Sequence, residues 1–321
     1  MDKAERAPRL YTWLVLATAL LTLGLIIFGA VVRVTDSGLG CGDDWPLCNG
    51  TIFPPLDNLT AWIEWLHRLF AALIGVVGLV TLFVGFRQRV HLTHRLSIVM
   101  VAVGALLFVV QSALGALVVV LELPPTMVAL HLGTALLQLA ALLAGFVAAR
   151  HVVEKRYPAD AVTSLVYITT ALSLVIILTG ALVRGSGATL ACVDWPLCYG
   201  ELLPASHGQL ALIHVLHRFA VAALGLALVL MVWQVFQNRR GRGVRWLSVA
   251  ALALYLAQSG VGAMFVISSA APVWGAAHVG LAAGTWAILV VLSVLEYVNT
   301  HPMMVGKDEF AWQSPSEAVV N

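Results

Sequence analysis

Glu64, His67 and Arg68 lie together in the pentapeptide EWLHR, residues 64–68, near one end of a long apolar run. Polar groups of this kind are costly in hydrocarbon and usually mark a cofactor, a proton path or a substrate. A related pentapeptide, HVLHR, occupies 214–218, with His214 where Glu64 stood. Of ten histidines, His91, His94, His151, His207 and His301 fall in loops or the tail, where a surface role suffices. His67, His131, His214, His217 and His278 fall inside apolar runs. At 1.5 Å per helical residue, His67, His131, His217 and His278 each sit ~8–11 Å below the same end of their runs. Two imidazoles on facing helices can ligate an iron axially from opposite faces. Zinc would want three or four ligands closing a tetrahedron, and only His214 offers a further donor in the second half. The plainer reading, four satisfied packing histidines, has to explain matched depth at duplicated positions.

One turn before His67, Glu64 shares nearly the same helix face. A carboxylate there can accept a proton or position a water; the alternative is an ion pair with Arg68. Arg33, Arg68, Arg184 and Arg218 all lie near this same end. A haem held between paired histidines would point its propionates that way. Arg33 and Arg68 in the first half, and Arg184 and Arg218 in the second, are placed to meet them by charge-assisted hydrogen bonds. Snorkelling to lipid head groups is the competing use. His214 cannot carry a negative charge, so the first half is expected to do chemistry and the second to carry electrons.

The elements that position these residues are apolar spans. The 321-residue chain is 60% hydrophobic and 11% charged, with mean hydropathy +0.94, far from the quarter charged of a soluble domain. A net charge of +2 and the lack of a basic aromatic patch give no sign of nucleic acid. Eight apolar runs are long enough to cross ~30 Å of hydrocarbon: 11–33, 60–86, 96–121, 126–149, 162–184, 210–236, 246–268 and 273–297. Continuous runs read as helices, since a barrel would show alternating segments of about ten residues. The first run is too long for a signal peptide and reads as a retained span. Fourteen of the 18 basic residues fall on one side of an eight-fold crossing, which is expected to be cytoplasmic with both termini. The other four are the arginines named above.

The chain also reads as one unit written twice. DWPLC and LHR each recur 150 residues on, and QSALGA with HLG recur 147 residues on as QSGVGA with HVG. The expected fold is therefore an all-α integral membrane protein of eight transmembrane helices. They form two tandem four-helix bundles related by a pseudo-two-fold axis along the membrane normal. The first unit is assigned to 1–150, the second to 151–298, and a cytoplasmic, disordered tail to 299–321. Gly29, Gly75, Gly104, Gly115 and Gly133, and then Gly180, Gly225, Gly260, Gly262 and Gly280, let helices approach or a flat macrocycle lie on backbone. The four cysteines lie in two loops on the outer, oxidising side. Pairing within each loop, Cys41–Cys48 and Cys192–Cys198, is the simplest of three arrangements. Metal binding is a rival without finger-like spacing; a structural staple and a redox role both stay open.

With these landmarks the sequence resembles the haem A synthase family over about residues 10–298. EWLHR matches the family's Glu-x-x-His-Arg motif, beside the histidine quartet, the eight-span repeat and the paired-cysteine loops. The cysteine spacings fit its two-pair type. The resemblance implies that the first unit receives haem O between His67 and His131, with Arg33 and Arg68 nearby. It implies that His217 and His278 ligate a haem b cofactor, with Arg184 and Arg218 nearby. The implied reaction oxidises one porphyrin methyl of haem O to a formyl group through a hydroxymethyl stage, with Glu64 catalytic, for use by haem–copper oxidases. The expected setting is a prokaryotic plasma membrane. Haem O and lipid are the expected partners, with a haem O synthase and a quinone or other electron acceptor as further candidates.

Two other readings compete. A di-haem, cytochrome b-like quinol oxidoreductase would use the same quartet, but has no need of a carboxylate beside one haem only. A parallel-repeat transporter would place polar groups at the bilayer midplane and break its helices, whereas here they cluster near one end.

Overall fold

The computed structural model describes residues 6–151, 157–238 and 240–301. Eight of its helices are long and apolar enough to span a membrane. They are α1 (Arg9–Val34), α2 (Leu59–Arg87), α3 (Arg95–Val120), α4 (Pro125–Arg150), α5 (Ala161–Gly185), α6 (Gln209–Gln237), α7 (Arg242–Ile267) and α8 (Pro272–Thr300). The chain is thus an all-α, multi-pass membrane protein. α7 begins four residues before the apolar run that announces it. α8 continues to Thr300, into the segment assigned to the tail; the tail's residues 302–321 lie outside the described residues.

Local chemistry explains the helix starts. The Asn58 side chain accepts from the Ala61 amide at 3.0 Å and caps α2. Asp160 and Thr163 form a capping box on α5. Pro125 and Pro272 open α4 and α8, where a missing N–H costs nothing.

Packing puts α1, α4, α5 and α8 at the centre, with α2 and α3 flanking on one side and α6 and α7 on the other. α4 is the most buried span and α3 the least. A core of Ala19, Ile26, Leu136, Leu139, Ala283 and Trp286 joins α1, α4 and α8. Trp286 Nε1 donates to the Leu136 carbonyl at 3.0 Å across that contact. At the end opposite the cysteine loops, the fully buried Glu296 pairs with Arg240 at 3.1 Å, and Arg240 also meets Asp160 at 2.8 Å. Tyr157 donates to Glu296 at 2.9 Å; burial and the Glu296 charge push its phenol up to about 12.

Local geometry repeats with the sequence. The turns after α3 and α7 carry left-handed pairs at Glu122–Leu123 and Ser269–Ala270. Both cysteine loops contain a cis Trp-Pro bond, at Trp45–Pro46 and Trp195–Pro196.

Candidate functional site

Each set of four helices contributes to its site in the same way. α2 brings His67 and α4 brings His131, about two turns from the helix start. α1 and α3 bring the glycines they lie against. A Cβ on Gly29 would stand 3.2 Å from His67 Cε1, and one on Gly115 would stand 3.1 Å from His131 Cε1. In the second half Gly180 of α5 faces His217 of α6 at 3.2 Å, and Gly262 of α7 faces His278 of α8 at 2.9 Å. Any side chain at these four glycines would crowd an imidazole. His67 lies within electrostatic reach of His131, and His217 of His278. The quartet therefore resolves into two pairs, one per half. Gly260, a neighbour on α7, faces open space instead.

These residues fit a flat, axially ligated iron macrocycle. The donor set is two imidazoles from facing helices, with a glycine of the neighbouring helix beside each ring. Among the described residues no three His, Cys, Asp or Glu side chains group as a metal-ion site, which disfavours a tetrahedral zinc. The Nδ1 atoms of His67, His131 and His214 are buried and lack a hydrogen bond among the described residues.

Glu64 is 3% exposed and uses both carboxylate oxygens. Oε1 accepts from Arg68 Nη2 at 2.5 Å, and Oε2 accepts from the Cys41 amide at 2.9 Å. The ion pair weighed as an alternative use of Glu64 is thus present. A carboxylate offers about four lone-pair sites, so two remain for a water or a proton. In the second half Arg218 Nη2 donates to His214 Nε2 at 3.3 Å, where no negative charge is available.

The arginines divide into two kinds. Arg68 Nη1 also donates to the Asp44 and Leu47 carbonyls at 3.0 and 2.9 Å. Arg218 Nη1 likewise donates to the Pro196 and Leu197 carbonyls, the second of them the counterpart of Leu47. These two clasp the cysteine loops onto α2 and α6. Arg33 and Arg184 are looser, sharing Asp36 at 3.9 and 3.5 Å on an exposed edge. Such surface pairs hold little energy and yield readily to another anion.

Both loops carry the within-loop disulfides, Cys41–Cys48 and Cys192–Cys198. All four cysteines are fully buried, over the first turns of α2 and α6. The Gly200 amide, then the Tyr199 amide and Arg218, hold the Asp194 carboxyl below the usual carboxylate range.

The COX15-CtaA family, described as cytochrome oxidase assembly protein, matches residues 11–290, which take in every residue of both pairs. The chain belongs to the COX15-CtaA family. Among curated members, the Heme A synthase of Symbiobacterium thermophilum is 35% identical over 295 residues, covering 87% of this chain and 93% of that protein. The Heme A synthase of Alkalihalophilus pseudofirmus is 31% identical over 255 residues, covering 77% and 85%. That of Exiguobacterium sp. AT1b is 31% identical over 290 residues, covering 87% and 92%. Within this COX15-CtaA chain, Thr179, Phe28 and Gln111 also touch the site histidines. Gln111 opens the repeated QSALGA without having been read as a histidine partner, and sequence reading passed over Thr179 and Phe28, whose only signal was their register against the repeat.

Proposed function

We propose that this protein is a haem A synthase, a membrane oxidoreductase that oxidises a porphyrin methyl of haem O to a formyl group by way of a hydroxymethyl stage. The contrast between Glu64 and His214 carries this reading, in a chain whose relatives are named for that activity. The two halves share paired histidines backed by glycines, and only the first has a buried carboxylate one turn above them. His67 and His131 hold the substrate haem. His217 and His278 hold haem b, which supplies one-electron transfer when bound.

In this reading the first stage adds the oxygen of a water. Each stage removes two electrons, passed on to a quinone or similar carrier, and two protons, one from the substrate carbon and one from the water or hydroxyl oxygen. Glu64 takes up a proton on a free lone pair, or holds the water nearest that carbon. Arg68 and the Cys41 amide fix the carboxylate so that it need not reorient at that moment. Arg33 and Arg184 leave Asp36 to meet propionates, while Arg68 and Arg218 retain spare N–H donors beside the loops. In this assignment the cysteine loops face outward, both termini face the cytoplasm, and a quinone or similar carrier takes the electrons.

Glu64→Gln tests the role, because the amide keeps the shape and the acceptor for Cys41 but loses the charge. Conversion of haem O is expected to fall by about 10²–10⁴-fold, with the haem b spectrum intact. Separation of the extracted haems reads the result. Undiminished haem A from Glu64→Gln removes the carboxylate from the mechanism, and haem b alone in purified wild-type protein favours the di-haem conduit.

A further inference from the structure

The two halves differ in how they hold the imidazole nitrogen that does not ligate. In the second half His217 Nδ1 lies 3.0 Å from Thr179 Oγ1. The Thr179 hydroxyl also reaches the Ile176 carbonyl at 2.9 Å; donating there, it accepts from His217 Nδ1. In that arrangement the imidazole proton sits on Nδ1 and Nε2 keeps its lone pair. His278 reaches the same state, with Nδ1 3.1 Å from the Gln258 carbonyl, which also only accepts.

His67 in the first half has no such arrangement. Aligning Gly29–Arg33 with Gly180–Arg184 puts Phe28 where Thr179 stands. Phe28 offers His67 a ring edge at a centroid distance of 5.8 Å, and His67 Nδ1 is left without a hydrogen bond among the described residues. His131 is engaged on its other nitrogen, Nε2, by the Gln111 side-chain amide at 3.0 Å. The Gln111 backbone also faces His131, as the Gln258 backbone faces His278, so the halves differ at His67 and His217.

The surrounding helices follow the same division. The Tyr255 hydroxyl donates to the Val221 carbonyl at 2.7 Å and ties α7 to α6. The matching residue, Phe108, has no hydroxyl, and a cavity of about 500 Å³ lies beside it between α2 and α3.

We propose that Thr179 makes the second-half haem site a permanent one, and that Phe28 in the matching place keeps the first-half site exchangeable. A ligating histidine whose second nitrogen donates to an acceptor is more basic and fixed in orientation. Without that acceptor the ligand is weaker and turns more freely, as a site must allow if its haem arrives as substrate and leaves as product. Thr179 is a positioning residue, since it acts through His217. The inference rests on the haem assignment above and deepens it.

The test uses full-length protein with Thr179→Val, Thr179→Ser and Phe28→Thr. Loss of haem b to excess apomyoglobin and the haem b midpoint potential are both measured. Thr179→Val keeps the shape and removes the acceptor, so haem b loss should quicken by about ten- to a hundredfold. The potential should rise, because a less basic ligand favours the ferric state less. Thr179→Ser restores the hydroxyl and should hold both values near wild type. Phe28→Thr should make the first half retain its haem longer through purification. An unchanged loss rate in Thr179→Val, or equal acceleration in the Val and Ser variants, overturns the inference. Wild-type protein without a bis-histidine haem instead overturns the functional reading beneath it.

Discussion

At the scale of single residues, the site is set by what stands behind each histidine as much as by the histidine itself. A Cβ on Gly262 would stand 2.9 Å from Cε1 and 3.1 Å from Nδ1 of His278. Gly262→Ala must therefore displace the ring and break its bond to the Gln258 carbonyl. Gly260, two residues away, meets nothing within 4 Å, and alanine there improves helix propensity by up to about 1 kcal/mol. The expected outcome is a haem b spectrum altered or lost in Gly262→Ala and unchanged in Gly260→Ala. Equal spectra in the two variants would show that the glycine cradle has no part in holding the ring. Both glycines stand out in the sequence, but only packing separates the one that faces an imidazole from the one that does not. Thr179 and Phe28 were hidden for the same reason: nothing in an apolar run says which residue points inward at a ring nitrogen.

At the scale of elements, span positions were readable because hydrocarbon thickness and backbone satisfaction leave few choices. The partners at the span ends were not. Arg240 reads in the sequence as one more basic loop residue that sets orientation, yet its side chain is 8% exposed and pairs with Glu296, which is 0% exposed. Those two residues meet because Glu296, near the end of its apolar run, packs against Arg240 just before the start of α7. Glu296→Ala leaves Arg240 buried with Asp160 alone, itself 32% exposed. Removing one partner of a buried pair costs about 3–5 kcal/mol, so this variant should unfold at clearly lower denaturant. Glu296→Gln, which keeps acceptors for Arg240 and Thr163, should lose less. Wild-type stability in Glu296→Ala would mean that the cluster is solvated in the membrane-embedded protein.

At the scale of the whole molecule, the sequence repeat suggests two units, but the packing does not leave them independent. α1, α4, α5 and α8 form one central group, and the α1, α4 and α8 core draws on both halves of the chain. Trp286 of the second half is 4% exposed and bonds to the Leu136 carbonyl of the first. Two bundles with separate cores would melt separately; a shared core makes them melt together. Unfolding in detergent should therefore give one transition, seen alike by the haem b absorbance of the second half and by a fluorophore placed on α2 of the first. Trp286→Ala removes a large side chain from the shared core and should cost about 3–5 kcal/mol. Both probes should move by the same amount, although the substitution touches neither histidine pair. If the haem b signal survives while α2 unfolds, the halves are separate folding units. Coincident shifts mean that the interface between the halves is part of one cooperative core.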